Sequence, residues 1–282
     1  MTIPAGPQLT VYLLCQYPQR PMSFAPHGWK TLLPLRYLNV RHDIIYVTLA
    51  ELREELPAKF HLPKVTLPAL VIDGDTEQEE ILMDSCNIAY YVRSVVETFM
   101  ADETLQLETH YGTREKSIYN GDIGRRYSRF IEQWVDRSLA ADIRPCVLHT
   151  SYAQFPEQGP LADTASRSAF LAKCGQAKMD ELTSLNGNPK WSAERYAATR
   201  KELGTIETVL KEKSNRGEGE LFLGGLKPIH ADFCVYAFYA YSRTNKELVE
   251  QTWHHESLPH VRVWLQAIQD LGLVSEKELF NL

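Results

Sequence analysis

Asp84 and Ser85 stand at the mouth of "CNIAYYVRSVVETF", whose apolar spacing predicts a helix of three or four turns. Both residue types favour N-caps, where their side-chain oxygens accept hydrogen bonds from early helical amides. An open helix N-terminus also favours an anion. Its amides and the Ser85 hydroxyl could take a carboxylate while Asp84 meets an ammonium, the two charges of an amino-acid head group. Capping alone accounts for the same pair, and the residues leave both readings open. A second helix start lies at "SFAPHGWKT", residues 23–31, where a turn with Pro26 and Gly28 runs into "WKTLLPLRYLNV". Its freed N–H groups suit an anion or a thiolate. In "VTLPALVID", Pro68 directly precedes a strand that should be central, where proline would cost a ladder hydrogen bond. A cis Leu67–Pro68 bond would turn the Leu67 backbone outward as a strand edge for an extended peptide. With about 5–6% of X–Pro bonds cis, base rates favour a trans proline at a strand start instead.

These residues need elements to hold them. The pattern predicts a strand at 9–14, a long polar turn ending in "PHG", and a helix at about 29–39 bounded by Asn39, which tolerates a left-handed C-cap. A second strand follows at 43–49, then a short helix ended by Pro57. "LPALVID" and "EILMD", separated by "GDTEQE", read as an antiparallel pair. The order is β-α-β-α-β-β-α. Past residue 100 the strand signals stop and helical patterns alternate with loops such as "LNGNPK" and "SNRGEGE". The expected architecture is an α/β domain at 1–102, a polar linker at 103–118 and an all-helical domain at 119–282.

Composition narrows the chemistry. The 282 residues are 44% hydrophobic, ample for a buried core. Against 36 Asp plus Glu stand 30 Lys plus Arg, a net charge of -6 with no basic block, which argues against a nucleic-acid partner. No apolar run approaches the roughly 18 to 20 residues that span a bilayer, and the N-terminus has no signal-peptide pattern, so a soluble cytoplasmic protein is expected. Five cysteines, Cys15, Cys86, Cys146, Cys174 and Cys234, are far apart and include no CxxC, so neither a disulfide framework nor a metal site is expected. Tyr127, Phe130 and Trp134, and later Phe233, Tyr236, Tyr239 and Tyr241, recur near helical spacing and read mainly as core. A few of them are expected to face the interdomain cleft. "HTSYAQF", between Pro145 and Pro156, is read as a break in the helical pattern and a wall of that cleft, with His149 in a polar loop.

Taken together, Pro68 before the third strand, "DS" opening the third helix and the helical second half resemble a cytosolic glutathione transferase over nearly the whole chain. "LFLGGLKPIHADFCVYAFY" is similar to that family's Gly-rich turn and buried helix, and "WHHESLPHVRVWLQAIQDLG" to its closing helix. "WKTLLPLRYLNV" is similar to the fungal FuA-type enzymes and the bacterial β-aryl etherases. The resemblance implies a thioredoxin-like domain followed by a helical bundle, with glutathione as co-substrate and no metal. It implies Leu67 and Pro68 pairing with the cysteinyl portion, Asp84 and Ser85 holding the γ-glutamyl end, and the first-helix N-terminus facing the sulfur. A small apolar or aromatic electrophile would sit against the helical domain of a homodimer, for detoxification or fungal secondary metabolism.

Two departures qualify this. Ala25 stands where many relatives carry Ser or Cys, and alanine can neither donate a hydrogen bond nor form a mixed disulfide. Ser23, two residues upstream, is then the nearest hydroxyl and the expected thiol activator, while Cys15 is expected to be a buried apolar residue. Lys30 reads as a solvated cation, His27 as a turn residue and Trp29 as packing between helix and sheet. Ile229, three residues before Asp232, lacks the hydroxyl of the family's capping box. The missing activator keeps open a non-catalytic binding protein of the same fold, or a structural protein that has lost the tripeptide.

Overall fold

The computed structural model describes residues 7–17, 20–101, 117–185, 188–215 and 219–279. Strand β1, Leu9–Tyr17, is the centre of the sheet. It pairs in parallel with β3, Asp43–Val47, and antiparallel with β4, Ala69–Ile72, which pairs antiparallel with β5, Glu80–Met83. All four residues of β4 are buried, as a central strand covered on both faces requires. The polar turn expected after residue 14 is instead a hairpin. β1 runs on to Tyr17 and returns as β2, Arg20–Ser23, with Cys15 opposite Ser23. Burial of Met22 and Phe24 anchors this return, two apolar residues in a segment whose other residues are mostly polar or Pro.

Helix α1, Pro26–Tyr37, starts three residues earlier than the pattern predicts, because proline is preorganised for the first helical position. It ends as expected at Asn39, with φ +54°, where Val40 N–H bonds to the Leu35 carbonyl and Asn39 N–H to that of Arg36. The second strand stops at Val47 because Thr48 and Glu51 form a reciprocal capping box that opens α2, Leu49–Glu54. Pro57 does not end that helix; it lies in the first turn of a separate α3, Leu56–Lys59. The apolar helix opened by Ser85 is α4, Ser85–Ala101. Sheet and helices together form a thioredoxin-like domain.

The rest of the described chain is mostly helical. α5, Gly121–Trp134, passes through a π-helical turn at Val135–Leu139 into α6, Ala140–Leu148, and a second such turn at His149–Gln154. The expected break at 149–155 is therefore helical almost throughout, the π-helical turn ending at Gln154, just before Pro156. His149 is buried, its Nδ1 2.9 Å from the Leu182 carbonyl oxygen and its ring edge-on to Trp191, so it is a packing residue rather than part of a polar loop. α7, Thr164–Cys174, and α8, Gln176–Ser184, are split by Gly175 at φ +78°. α9, Pro189–Asn215, α10, His230–Ser242, α11, Lys246–Gln251, and α12, Pro259–Asp270, complete the order.

α10 is buried at every position, and Phe233, Tyr236, Tyr239 and Tyr241 are core, whereas Phe130 on α5 is 67% exposed. α1 lies against α10, with Tyr37 and Phe233 ring centroids 5.5 Å apart. Ile229, the residue capping α10, has no acceptor in its side chain, and the hydroxyl it lacks is supplied across the bundle. The His230 N–H bonds to the Ile118 carbonyl at 2.8 Å and the Ala231 N–H to Ser128 Oγ at 3.2 Å. Of the expected linker, Ile118 is buried in this core, Ser117 beside it is exposed, and residues 103–116 lie outside the described residues. Among the described residues no helix is long and apolar enough to cross a membrane.

Candidate active site

The strand register brings the candidate residues to one end of the sheet. Ala69 lies opposite Met83 on one side and Tyr12 on the other, so Leu67 and Pro68 stand just beyond the last paired residues. Ser85 follows β5 at the same end, and β1 leads there into the α1 turn. The Leu67–Pro68 bond is cis.

Asp84 adopts φ +76°, a left-handed conformation that Asp tolerates better than most residues. Its Oδ1 accepts from the Cys86 N–H at 2.9 Å and the Asn87 N–H at 3.2 Å, leaving Oδ2 and the Ser85 amide outside the cap. Asp84 is solvent-exposed, so an external ammonium can reach it. Ser85 is different: its hydroxyl turns inward and donates to Glu132 Oε1 at 3.3 Å, so only its backbone amide faces the helix start.

At the other helix start Ala25 is the N-cap of α1, in extended conformation and without a side-chain bond to the first turn. Ser23 sits beneath that turn, 7% exposed, with no partner for its hydroxyl among the described residues. A Cβ added to Gly28 would fall 2.3 Å from Ser23 Oγ and 3.3 Å from Leu13 Cδ2. Glycine at this position lets the helix approach β2. Gly28→Ala, normally favourable in a helix by about 1 kcal/mol, should here destabilise by about 1–2 kcal/mol. In a Ser23→Ala background most of that loss should vanish, and a double-mutant cycle in urea measures the coupling.

Cys15 is buried, as expected, and burial pushes its thiol up to about 12, so it is no nucleophile at neutral pH. Trp29 is buried in the core. His27 is partly exposed. Burial, and then the Lys30 charge, push its pKa down to about 4, so the ring is neutral at neutral pH. Its Nε2 lies 3.2 Å from an Arg144 nitrogen, and since a guanidinium only donates, Nε2 is the unprotonated nitrogen.

Lys30 overturns its expectation: it is fully buried. Its ammonium meets Asp136 Oδ1 at 2.6 Å and Glu132 Oε1 at 3.7 Å. The helical spacing of "WKTLL" puts Lys30 on the same flank as His27, but only the fold brings carboxylates from α5 and the following π turn to it. Burial alone would raise the Glu132 carboxyl, and its neighbour His230 is itself held neutral, pushed down to about 4 by burial. The cations Lys30 and Arg129, the latter at 2.9 Å, are what keep Glu132 ionised below its usual range.

Glu132, His230 and Cys234 bring three donor atoms within 4.8 Å of one another. Glu132 is already engaged by Ser85, Lys30 and Arg129, and burial holds the Cys234 thiol well above its usual pKa, in contact with His230 Nε2 at 3.4 Å. A metal ion there would have to displace these partners and ionise a buried thiol.

The second-half face of the α1 start is aromatic. Phe24 stacks on Tyr152 at 6.2 Å and meets Tyr241 edge-on at 5.5 Å, and Gln16 Nε2 donates to the Gln158 carbonyl at 2.9 Å. The segment around Tyr152 thus packs on the turn that carries Ser23.

Residues 24–95 match the glutathione S-transferase N-terminal domain. No curated protein matches the chain by sequence. Among solved structures, the chain is similar to glutathione transferase GSTFuA3 from Phanerochaete chrysosporium, with 16% identity, TM-score 0.66, and 99% of this chain and 100% of that one covered. It is similar to the beta-etherase LigF from Sphingobium sp. strain SYK-6, at 16% identity and TM-score 0.63, over 96% and 98% of the two chains. A glutathione S-transferase of Ceriporiopsis subvermispora in complex with glutathione shares 14% identity at TM-score 0.65, over 95% of this chain and 99% of that one. Residues 24–95 are thus a glutathione S-transferase N-terminal domain, and the whole chain has the glutathione transferase fold.

Proposed function

We propose that this protein is a glutathione transferase that conjugates the tripeptide to, or cleaves with it, an apolar, aromatic electrophile. The observation that carries this reading is the convergence of three features at one sheet end: the unpaired backbone of Leu67 and Pro68, the capped α4 start at Asp84 and Ser85, and the α1 start. An extended tripeptide would bond to the Leu67 backbone. Its γ-glutamyl ammonium would meet Asp84, its carboxylate the Ser85 amide, and its sulfur the first amides of α1. Glutathione is the co-substrate in this reading, without a metal.

A free thiol has a pKa near 8.5, so thiolate becomes dominant at neutral pH only if the site lowers it by about two units. The α1 amides contribute, and Ser23, whose hydroxyl is uncommitted, is the activator proposed. The thiolate then attacks the electrophilic carbon; the new C–S bond forms as the leaving group departs with its electron pair, and the thiol proton has passed to solvent. Burial of Ser23 and the bare N-cap at Ala25 favour one alternative, a glutathione-binding protein that sequesters apolar compounds without turning them over.

Calorimetry with glutathione, run beside conjugation and ether-cleavage assays on a panel of aryl electrophiles, tests both. Binding with turnover is expected. Binding without turnover of any member selects the sequestering protein, and absence of binding rejects both. Ser23→Ala should raise the pKa of the bound thiol, and an unchanged value removes Ser23 from the mechanism. The same reading carries a homodimer, in which Ile123 and Phe130, left exposed on α5, would be covered. It also carries a cytoplasmic setting and a role in detoxification or secondary metabolism.

A further inference from the structure

A lysine is almost never fully buried unless paired, and Lys30 is buried completely in the second turn of α1. Both its carboxylate partners belong to the helical half: Glu132 on α5 and Asp136 in the π turn that follows. With Arg129 they make a cluster of two cations and two carboxylates. Such a cluster stabilises little by itself, because desolvation offsets the attraction, and an apolar residue of similar length would fill the space as well. What distinguishes this one is what it joins. Lys30 rides on the helix whose N-terminus faces the proposed sulfur position, and Ser85 opens the helix proposed for the γ-glutamyl end. Among the described residues, Glu132 is bonded to Ser85 and ion-paired with Lys30.

We propose that Lys30 and Glu132 are a positioning pair that ties the two ends of the glutathione site together and sets the electrostatic potential at the first turn of α1. The inference rests on the functional reading above, and it has a reporter that does not. His27, in that first turn, faces Lys30 on its own helix, Asp136 at 4.0 Å from the π turn, Glu132 on α5 and Arg144 on α6. Any change in the pair's charge is felt by its imidazole whether or not glutathione binds.

The test uses the full chain with Lys30→Met, Glu132→Gln and the double variant. It reads the His27 titration by proton NMR and the pKa of enzyme-bound glutathione by thiolate absorbance. At several ångströms in a partly buried site, one unit charge moves a pKa by about one unit. Lys30→Met leaves net negative charge and should raise both midpoints by about that much. Glu132→Gln should lower the bound-thiol pKa and move His27 below its wild-type midpoint, and the double variant should return both near wild type. A purely structural role would shift the two single variants together or leave both midpoints in place, and either result overturns the proposal. If Lys30→Met does not fold, the neutral double variant and Asp136→Asn take its place: Asp136→Asn should lower both midpoints, and no shift there overturns the proposal equally. Failure of glutathione to bind rejects the functional reading, while the His27 shifts still decide the electrostatic one.

Discussion

Replacing Asp232 by alanine is expected to destabilise the protein by about 3–5 kcal/mol, a fall in Tm of roughly 10 °C, while leaving the thioredoxin-like site untouched. Asp232 is fully buried at the third position of α10. Its Oδ1 accepts from the Leu223 N–H at 2.7 Å and the Trp264 indole N–H at 2.8 Å, and its Oδ2 from the Ile229 N–H at 2.8 Å. One carboxylate therefore pins the Gly-rich turn, the start of α10 and the last long helix, α12. Alanine would orphan three buried donors, each costing about 1–3 kcal/mol. Asn should do little better, since its amide nitrogen would face N–H groups that need an acceptor. Urea unfolding of the three proteins at one pH measures both differences; an Asn variant as stable as wild type would mean that shape rather than acceptor capacity holds this junction.

The same group gives a signed pH dependence. Burial pushes the Asp232 carboxyl up to about 6 from 3.8, against the lowering effect of its N–H donors. Between those values the folded state holds a proton that the unfolded state has lost. The contribution is fully present below 3.8 and is lost as pH rises through 6. Relative to Asp232→Asn, wild-type stability should fall by on the order of 2 kcal/mol over that interval.

Chemically distinctive residues were the legible part of the fold and the site. Pro68, Asp84 and Asn39 were legible as local features, a missing N–H at a strand start, a helix cap and a left-handed φ, whereas the Ser85 hydroxyl bonds to Glu132 rather than to the helix start. What stayed hidden depends on partners distant in sequence. β2 was masked by polar residues whose pairing only β1 reveals, and the π turns carried helical structure through a segment with Pro at both flanks. Lys30 is the clearest case. A lysine one turn into a helix looks solvated, and nothing within ten residues of it foretells Glu132 and Asp136, more than a hundred positions away. The cap of α10 is similar, since Ser128 replaces a hydroxyl missing at Ile229 from a different helix. Long-range polar pairing, unlike capping, leaves no local spacing to read.

The largest functional effect should come from Asp84, and the choice of substitution decides what it means. Asp84 does two separable things: its Oδ1 caps the Cys86 and Asn87 amides, and its exposed charge is the proposed partner of the γ-glutamyl ammonium. Asn keeps the capping oxygen and tolerates the left-handed φ of +76° but removes the charge. Asp84→Asn should therefore lower glutathione affinity by about tenfold to a hundredfold, the scale of a charge-assisted hydrogen bond of about 1.5–3 kcal/mol, with Tm nearly unchanged. Gly keeps the backbone and removes both functions, so it should lose the same affinity plus only a few tenths of a kcal/mol in stability. Ala should lose affinity and also about 1–2 kcal/mol, because it neither caps nor favours positive φ. A structural protein that no longer takes the tripeptide predicts the reverse order, with Ala alone perturbed and only in Tm. Calorimetry with glutathione on all three variants separates the two: loss of affinity in Asp84→Asn at constant Tm assigns the carboxylate to a ligand, and unchanged affinity there would leave Asp84 as a helix cap and nothing more.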